Sequence, residues 1–354
     1  MEKFYNLKEV ADILNVNKET LRRWDRNGKF PSTRHPINNY RVYPSSKVNQ
    51  LVKELQLGYY SESKSVKLPQ PFYKNESGSL FNMDALQFLK SIDNESVDLV
   101  FADPPYNIKK AEWDTFQSQK QYVDWSISWI QEAQRILKSH GSLYVCGFSE
   151  ILADIKWTAS YLFKGCKWLV WHYRNKANLG NDWGRSHESI LHFRKSKEFI
   201  FNIDEVRVPY NLHTLKYPIR PQAETSQYNN GNGKEYIWEP NPLGAKPKDV
   251  LEIPTISNSS WEKTSHTTQK PVELIKKIVL ASSNERHLIV DPFGGSGTTY
   301  AVAQAFNRKW LGSENSKEYC QIIKERLSNS EIISRIASGK DEVEAAQRRQ
   351  KLRS

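Results

Sequence analysis

The run SVDLVFADPPYN, residues 96 to 107, constrains the fold more tightly than any other stretch of the chain. Val97, Leu99, Val100 and Phe101 make an apolar run of strand length that stops at two consecutive prolines, the pattern of a strand buried on both faces. Strands of that kind belong to parallel sheets covered by helices, and the flanking segments agree. LFNMDALQFLKSI reads as a strand end followed by a helix, YVDWSISWIQEAQRILKSHG as a helix closed by Gly141, and SLYVCGF as a second buried strand. Further on come the helix of QKPVELIKKIVLASS, the strand LIVDPF, a Gly-rich turn, the helix TYAVAQAFN and the strand KWLGSE. Strands alternating with helices imply an α/β fold with right-handed crossovers.

The chain of 354 residues is long enough for one such domain plus a small module. Residues 1–58 read as that module. Leu7, Val10, Ile13 and Leu14 have helical spacing, Asn15, Val16 and Asn17 break it, and Leu21 and Trp24 restart it in a helix that ends at Asn27-Gly28. Lys18, Arg22, Arg23 and Arg26 occupy the remaining faces of that second helix, and YRVYP at 40–44 suggests the strand of a wing before another helix around Val48, Leu51, Val52 and Leu55. The stretch resembles the winged helix-turn-helix of the mercury-resistance-regulator and excisionase type, which implies a second helix docked in the major groove. A docking module with a solvated basic face satisfies the same pattern.

Residues 59–77 gather Ser, Lys and Pro and read as a linker; 78–328 carry the α/β rhythm; 329–354 read as a charged, solvated C-terminal helix. Within the large domain, about 205–262 is long, polar and rich in Pro, Asn and Gly, as functional insertions are. The formal charge of +11 suits a polyanionic partner, although both signs are interspersed. There is no apolar stretch of membrane-spanning length and no signal-peptide core at the N-terminus, so the expectation is a cytoplasmic protein without a membrane partner. Cys146, Cys166 and Cys320 lack metal-ligand spacing and the histidines are scattered, so no metal is expected.

DPFGGSGTT at 291–299 joins a buried strand to a helix, the place where open α/β sheets bind nucleotides. No Lys follows the glycines as a phosphate-binding loop requires, and the dinucleotide fingerprint is not matched, so phosphate is not the expected handle. Glu314, at the end of the next strand, is placed to accept hydrogen bonds from a ribose diol.

Taken together, DPPY at 103–106, HTTQKP at 266–271, DPFGGSGT and GSE with Tyr319 resemble, in this order, the motif set of the beta group of S-adenosylmethionine-dependent DNA amino methyltransferases, over about residues 80–328. The resemblance implies a Rossmann-like, seven-stranded, mostly parallel sheet with one reversed strand near its edge. It implies S-adenosylmethionine as cofactor, with Asp291, Phe293, Gly295, Ser296, Gly297 and Thr298 around its methionine part, Glu314 on the ribose, Lys270 near the carboxylate and Asp84 towards the adenine; Asp103 also borders this pocket. Lys270 beside Pro271 is equally the pattern of a helix start.

In the same family the catalytic group would be Asp103, Pro104, Pro105 and Tyr106. The exocyclic amine of a base is a poor nucleophile because its lone pair is delocalised. Hydrogen bonds accepted by the Asp103 carboxylate and the Pro104 carbonyl would direct that lone pair and stabilise charge developing on nitrogen. The prolines add rigidity, and Tyr106 offers a ring for an extruded base to stack on. Asp at 103 points to adenine, since the cytosine 4-amino enzymes of the family usually carry Ser there. The implied partner is double-stranded DNA, recognised through 205–262, where Arg207, Lys216, Arg220, Gln222 and Asn230 have side chains able to read base edges and the sequence does not say which of them do. A restriction-modification setting leaves room for a cognate restriction endonuclease, and a homodimer is open. A cytosine amino methyltransferase, an RNA or protein amide methyltransferase, and a non-enzymatic regulator with a cofactor-sensing domain are the competing readings.

Overall fold

The computed structural model describes residues 2–14, 16–36, 38–51, 67–107, 116–173, 181, 183–222 and 236–339. The N-terminal module begins with β1 (Phe4–Asn6), α1 (Leu7–Ile13) and α2 (Lys18–Arg26), followed by β2 (Thr33–Arg34), β3 (Arg41–Pro44) and a helical stretch α3 over 45–51. Asn6 and Glu9 form a reciprocal capping box on α1, Asn17 caps α2 by accepting from the Glu19 N–H, and Gly28 follows α2 in the left-handed region. Val10, Leu14, Leu21, Phe30, Tyr43 and Val48 close a small core, while Lys18, Arg22, Arg23 and Arg26 stay exposed. The wing is the β2–β3 hairpin, and β1 pairs with the other side of β3 to make three antiparallel strands. Asp25 ties wing to helix: burial works against its carboxylate, but the Ser32 N–H and Arg41 at 2.6 Å bring its pKa down to about 2.

The large domain is a sheet of nine strands in the order β12-β8-β9-β7-β6-β13-β14-β5-β4. Their ranges are β4 (Tyr73–Lys74), β5 (Gly78–Asn82), β6 (Val97–Ala102), β7 (Leu137–Gly147), β8 (Gly165–His172), β9 (His187–Arg194), β12 (Val250–Glu252), β13 (Leu288–Asp291) and β14 (Lys309–Glu314). The family resemblance implies seven strands; β4 and β12 extend the sheet by one at each edge. β9 runs antiparallel to both β7 and β8, and the short β4 is also reversed.

Every residue of β6 is buried, as the continuous apolar run requires. Leu99 and Phe101 face one helical layer, formed by α8 (Val272–Ser282), α9 (Thr298–Ala305), α10 (Lys317–Ser328) and α11 (Ser330–Ser338). Val100 and Ala102 face the other, formed by α4 (Ala85–Lys90), α5 (Gln119–Ile136) and α6 (Ser149–Ala159). The result is a three-layer α/β/α sandwich. Among the described residues no helix is long and apolar enough to cross a membrane.

Four boundaries differ from the sequence reading. Helix α5 ends at Ile136, not at Gly141, because Leu137 is already extended and β7 starts there; Gly141 lies within the strand, where a Cβ would come within 2.8 Å of Leu137 Cδ2. The sheet begins at Tyr73, inside the stretch read as linker. The tail is not simply solvated, since Ile336 of α11 is buried and Ile332 and Ile333 pack on the core; residues 340–354 lie outside the described residues. Between 205 and 262 the chain supplies α7 (Leu212–Lys216), the antiparallel pair β10 (Arg220–Gln222) and β11 (Tyr236–Trp238), and the sheet strand β12.

Candidate active site

Parallel strands place all their C-terminal ends on one rim, and here that rim carries the polar residues. Asp103 directly follows β6, β13 ends in Asp291, β14 in Glu314, and β5 leads to Asp84. The chain order reverses between β6 and β13, so Asp103 and Asp291 flank the topological switch point, where such sheets form a crevice. A cavity of about 1020 Å³ opens there, lined by Asp84, Asp103, Pro104, Pro105, Tyr106, Lys270, Asp291, Phe293, Gly295, Ser296, Thr298 and Glu314, among others. That is at the upper end of the usual range of roughly 300–1,000 Å³ for small-molecule sites.

The expected residues therefore converge, with one exception. Gly297 does not line the cavity: at φ +72° it caps α9, and a Cβ there would lie 3.0 Å from Ile323 Cγ2. Gly295, at φ +51°, does face the cavity, beside His266.

The Gly-rich turn is fixed by the acids on either side. Asp291 accepts from the Phe293 N–H at 2.9 Å and from the Thr299 hydroxyl at 2.6 Å. Burial, reinforced by the charges of Asp103 and Glu314 and only partly opposed by those two hydrogen bonds, pushes its pKa up to about 8. Glu314 accepts from the Gly295 N–H and the Ser316 N–H, each at 2.8 Å, and burial raises its pKa as well. Beneath the turn, the buried Arg326 donates to the Ser296 carbonyl and the Thr298 hydroxyl. Phe293 lies edge-on to Trp125 and Trp129, and Asp84 caps α4 through the Gln87 N–H.

Facing the turn is a compact charged group. Lys270 Nζ lies 2.7 Å from Asp103 Oδ2 and 3.5 Å from Glu188 Oε2. The Tyr106 hydroxyl is 2.7 Å from Asp103 Oδ1 and 3.0 Å from the same Glu188 oxygen. Burial disfavours the Lys270 charge, but the two carboxylates outweigh it and hold the ammonium firmly protonated. Burial and the same two acids push the Tyr106 hydroxyl well above its ordinary range. His266 goes the other way, down to about 4, because it is buried and stays neutral.

Glu188 and Arg326 carry no signal in the sequence that singles them out, and His266 opens the HTTQKP motif without having been given a role. Glu188 is the instructive omission: β9 runs backwards, so the start of that strand, not its end, reaches the rim. Of the residues with side chains able to read base edges, Arg207 pairs with Asp204 and donates to the Gly244 carbonyl, which ties the loop together; Asn230 lies outside the described residues. Among the described residues, Asp98, His140 and His287 form one cluster with metal-ligand spacing, at the opposite rim of the sheet. The Lys138 ammonium already sits on both Asp98 oxygens, at 3.0 and 2.9 Å, which places a cation's charge there without a metal.

Residues 97–325 match the N6/N4 methyltransferase family model described as DNA methylase, and residues 6–43 match that of the MerR family regulatory proteins. The type II methyltransferase M1.MboII of Moraxella bovis is 34% identical over 258 residues, covering 69% of this chain and 94% of that protein. The DNA adenine methyltransferase YhdJ of Escherichia coli (strain K12) is 34% identical over 260 residues, covering 72% and 84%. The type II methyltransferase M.BamHI of Bacillus amyloliquefaciens is 31% identical over 360 residues, covering 92% and 81%. Among solved structures, the PvuII DNA methyltransferase (cytosine-N4-specific) aligns over 76% of this chain and 94% of that one with a TM-score of 0.55 at 21% identity, a likeness of fold.

Proposed function

Because the chain belongs to the N6/N4 DNA methylase family, we propose that it methylates the 6-amino group of an adenine flipped out of duplex DNA, using S-adenosylmethionine. The observation that carries the reading is the meeting of two turns, Asp103 to Tyr106 and Asp291 to Thr298, in one cavity. Adenine is favoured by the Asp at 103 and by the relative named as an adenine methyltransferase. The relatives named type II methyltransferases support a restriction-modification setting with a cognate endonuclease.

When bound, S-adenosylmethionine supplies an electrophilic methyl group on a positively charged sulfur. Gly295, Ser296 and Thr298 would hold its amino-acid end, with Glu314 towards the ribose. The Asp103 carboxylate and the Pro104 carbonyl accept the two N–H bonds of the base. They thereby turn the nitrogen lone pair towards the methyl group and stabilise the positive charge that grows on nitrogen. Held in line at about 3–3.5 Å, donor and acceptor need no covalent enzyme intermediate. Tyr106, edge-to-face with Phe148 at 5.0 Å between ring centroids, is the ring on which the base would stack. Base stacking of that kind is worth about 1–3 kcal/mol and offsets part of the cost of flipping. The winged helix adds phosphate contacts beside the methylated site.

Incubation with duplex DNA and methyl-labelled cofactor, followed by digestion to nucleosides, tests the reading. Label is expected on N6-methyladenine, falling at least a hundredfold in Asp103→Ala. Label on cytosine would replace the base assignment; no label in any duplex would defeat the proposal.

A further inference from the structure

Both oxygens of the Asp103 carboxylate are already engaged within the protein. Tyr106 takes Oδ1 and Lys270 takes Oδ2, each at 2.7 Å. An incoming amino group competes with these donors for the two carboxylate oxygens, and the Lys270 ammonium, itself a nitrogen bearing N–H donors, already holds one of the oxygens the amine would use. Lys270 cannot simply withdraw into solvent. It is 7% exposed, with the rings of Tyr106 and Trp171 at 5.2 and 6.0 Å, and a buried ammonium without a counter-charge is costly.

The geometry points to Glu188 as a positioning residue: it is the second seat for the Lys270 ammonium and the Tyr106 hydroxyl, releasing Asp103 to accept the amine of the base. Its Oε2 is within 3.5 Å of Lys270 Nζ and 3.0 Å of the Tyr106 oxygen, so a shift of well under the length of a side-chain bond changes the ion pair from one acid to the other. The exchange keeps one carboxylate on the ammonium throughout and needs no proton transfer. It also leaves Asp103 with its full negative charge for the developing positive charge on nitrogen, where a bridging lysine would cancel that charge. The trio of Asp103, Glu188 and Lys270 carries one net negative charge, the complement of a sulfonium ligand. This inference rests on the reading of Asp103 as the acceptor of the base's amino group.

The test compares the parent, Glu188→Gln and the double variant Glu188→Gln/Lys270→Met, all as full-length chains at saturating S-adenosylmethionine. Glu188→Gln removes the second seat while conserving shape. Its kcat is expected to fall at least tenfold, with cofactor affinity in the absence of DNA within about threefold of the parent. The double variant, which has no ammonium to reseat, is expected to regain at least threefold over the single variant, an effect a merely structural Glu188 would not give. Undiminished turnover in Glu188→Gln, or no recovery in the double variant, overturns the inference while leaving Asp103's role intact. Parent protein that methylates no DNA overturns both. Should the amide variant not fold, a structure of the parent with DNA and a non-reactive cofactor analogue decides: Lys270 Nζ nearer Glu188 than Asp103 supports the exchange, and Lys270 still on Asp103 refutes it.

Discussion

Glu314 Oε2 accepts the Gly295 N–H at 2.8 Å, which ties the end of strand β14 to the Gly-rich turn that leaves strand β13. The second oxygen holds the Ser316 N–H at the start of α10. One carboxylate thus shapes the cofactor side of the cavity before any ligand arrives. Glu314→Ala leaves two partly buried backbone donors without their acceptor. It is expected to lower stability by about 1–3 kcal/mol and to weaken S-adenosylmethionine binding at least tenfold, measured by denaturant titration and calorimetry. Glu314→Gln, which still accepts one of the two bonds, should lie between.

The chemistry-bearing turns were legible because each is continuous in sequence. DPPY and DPFGGSGT carry their own strand ends, and parallel pairing brings consecutive strand ends to one rim whatever the detailed register. What escaped depends on relations between distant segments. Glu188 matters only because β9 is reversed, and Arg326 only because α10 folds back beneath the turn; neither has a local pattern that marks it. Gly141 misled for a different reason. A glycine after a helical run has the pattern of a C-cap, but here the backbone is extended from Leu137 and the missing side chain admits Leu137 and the Asp98 carbonyl. The two edge strands were equally hidden, since two- and three-residue strands such as β4 and β12 have too little sequence to show a period.

Asp291 gives the fold a dependence on pH. Its pKa, raised by burial to about 8, means that the folded state prefers the neutral acid. The stability it contributes is complete below the ordinary carboxylate value of about 3.9 and is lost as pH rises from there through about 8. Asp291→Asn keeps the shape but cannot ionise. Between pH 5 and 8 the melting temperature of the parent should therefore fall relative to that of the variant. Parallel curves for the two proteins across that range would contradict the raised pKa.

The exposed cations of α2 predict how the N-terminal module acts. Arg22 and Arg26 share Glu19 at 3.0 and 3.3 Å, contacts on the surface that phosphates can replace at little cost. If α2 lies against DNA, Arg22→Ala and Arg23→Ala should each weaken duplex binding and reduce the slope of log K against log salt by about 1. Turnover at saturating DNA should stay near the parent's, because neither residue belongs to the cavity. Unchanged slopes would assign the module to a partner other than nucleic acid.

At the rim opposite the cavity, Asp98 fastens three strands, and its loss should be felt in stability alone. The carboxylate is 1% exposed and accepts from Lys138, from the Leu288 N–H at 2.9 Å and from His140 Nε2 at 2.8 Å, so β6, β7 and β13 meet on one side chain. Burial alone would raise its pKa, but His140, the Leu288 N–H and Lys138 together lower it. Asp98 therefore contributes stability above the ordinary carboxylate value of about 3.9, and that contribution is lost as pH falls through its lowered folded value. Breaking a buried pair costs about 3–5 kcal/mol as a rule; with Lys138 and His140 each more than a third exposed, Asp98→Ala is expected to cost roughly 3 kcal/mol at neutral pH. Urea titrations of parent and variant should converge only as pH is taken below the ordinary carboxylate value of about 3.9 and through the lowered value of the folded parent. Because Asp103 directly follows the other end of strand β6, methyl transfer measured well below the melting temperature separates the two ends: kcat should change by less than about threefold if the fastening serves the sheet and not the cavity.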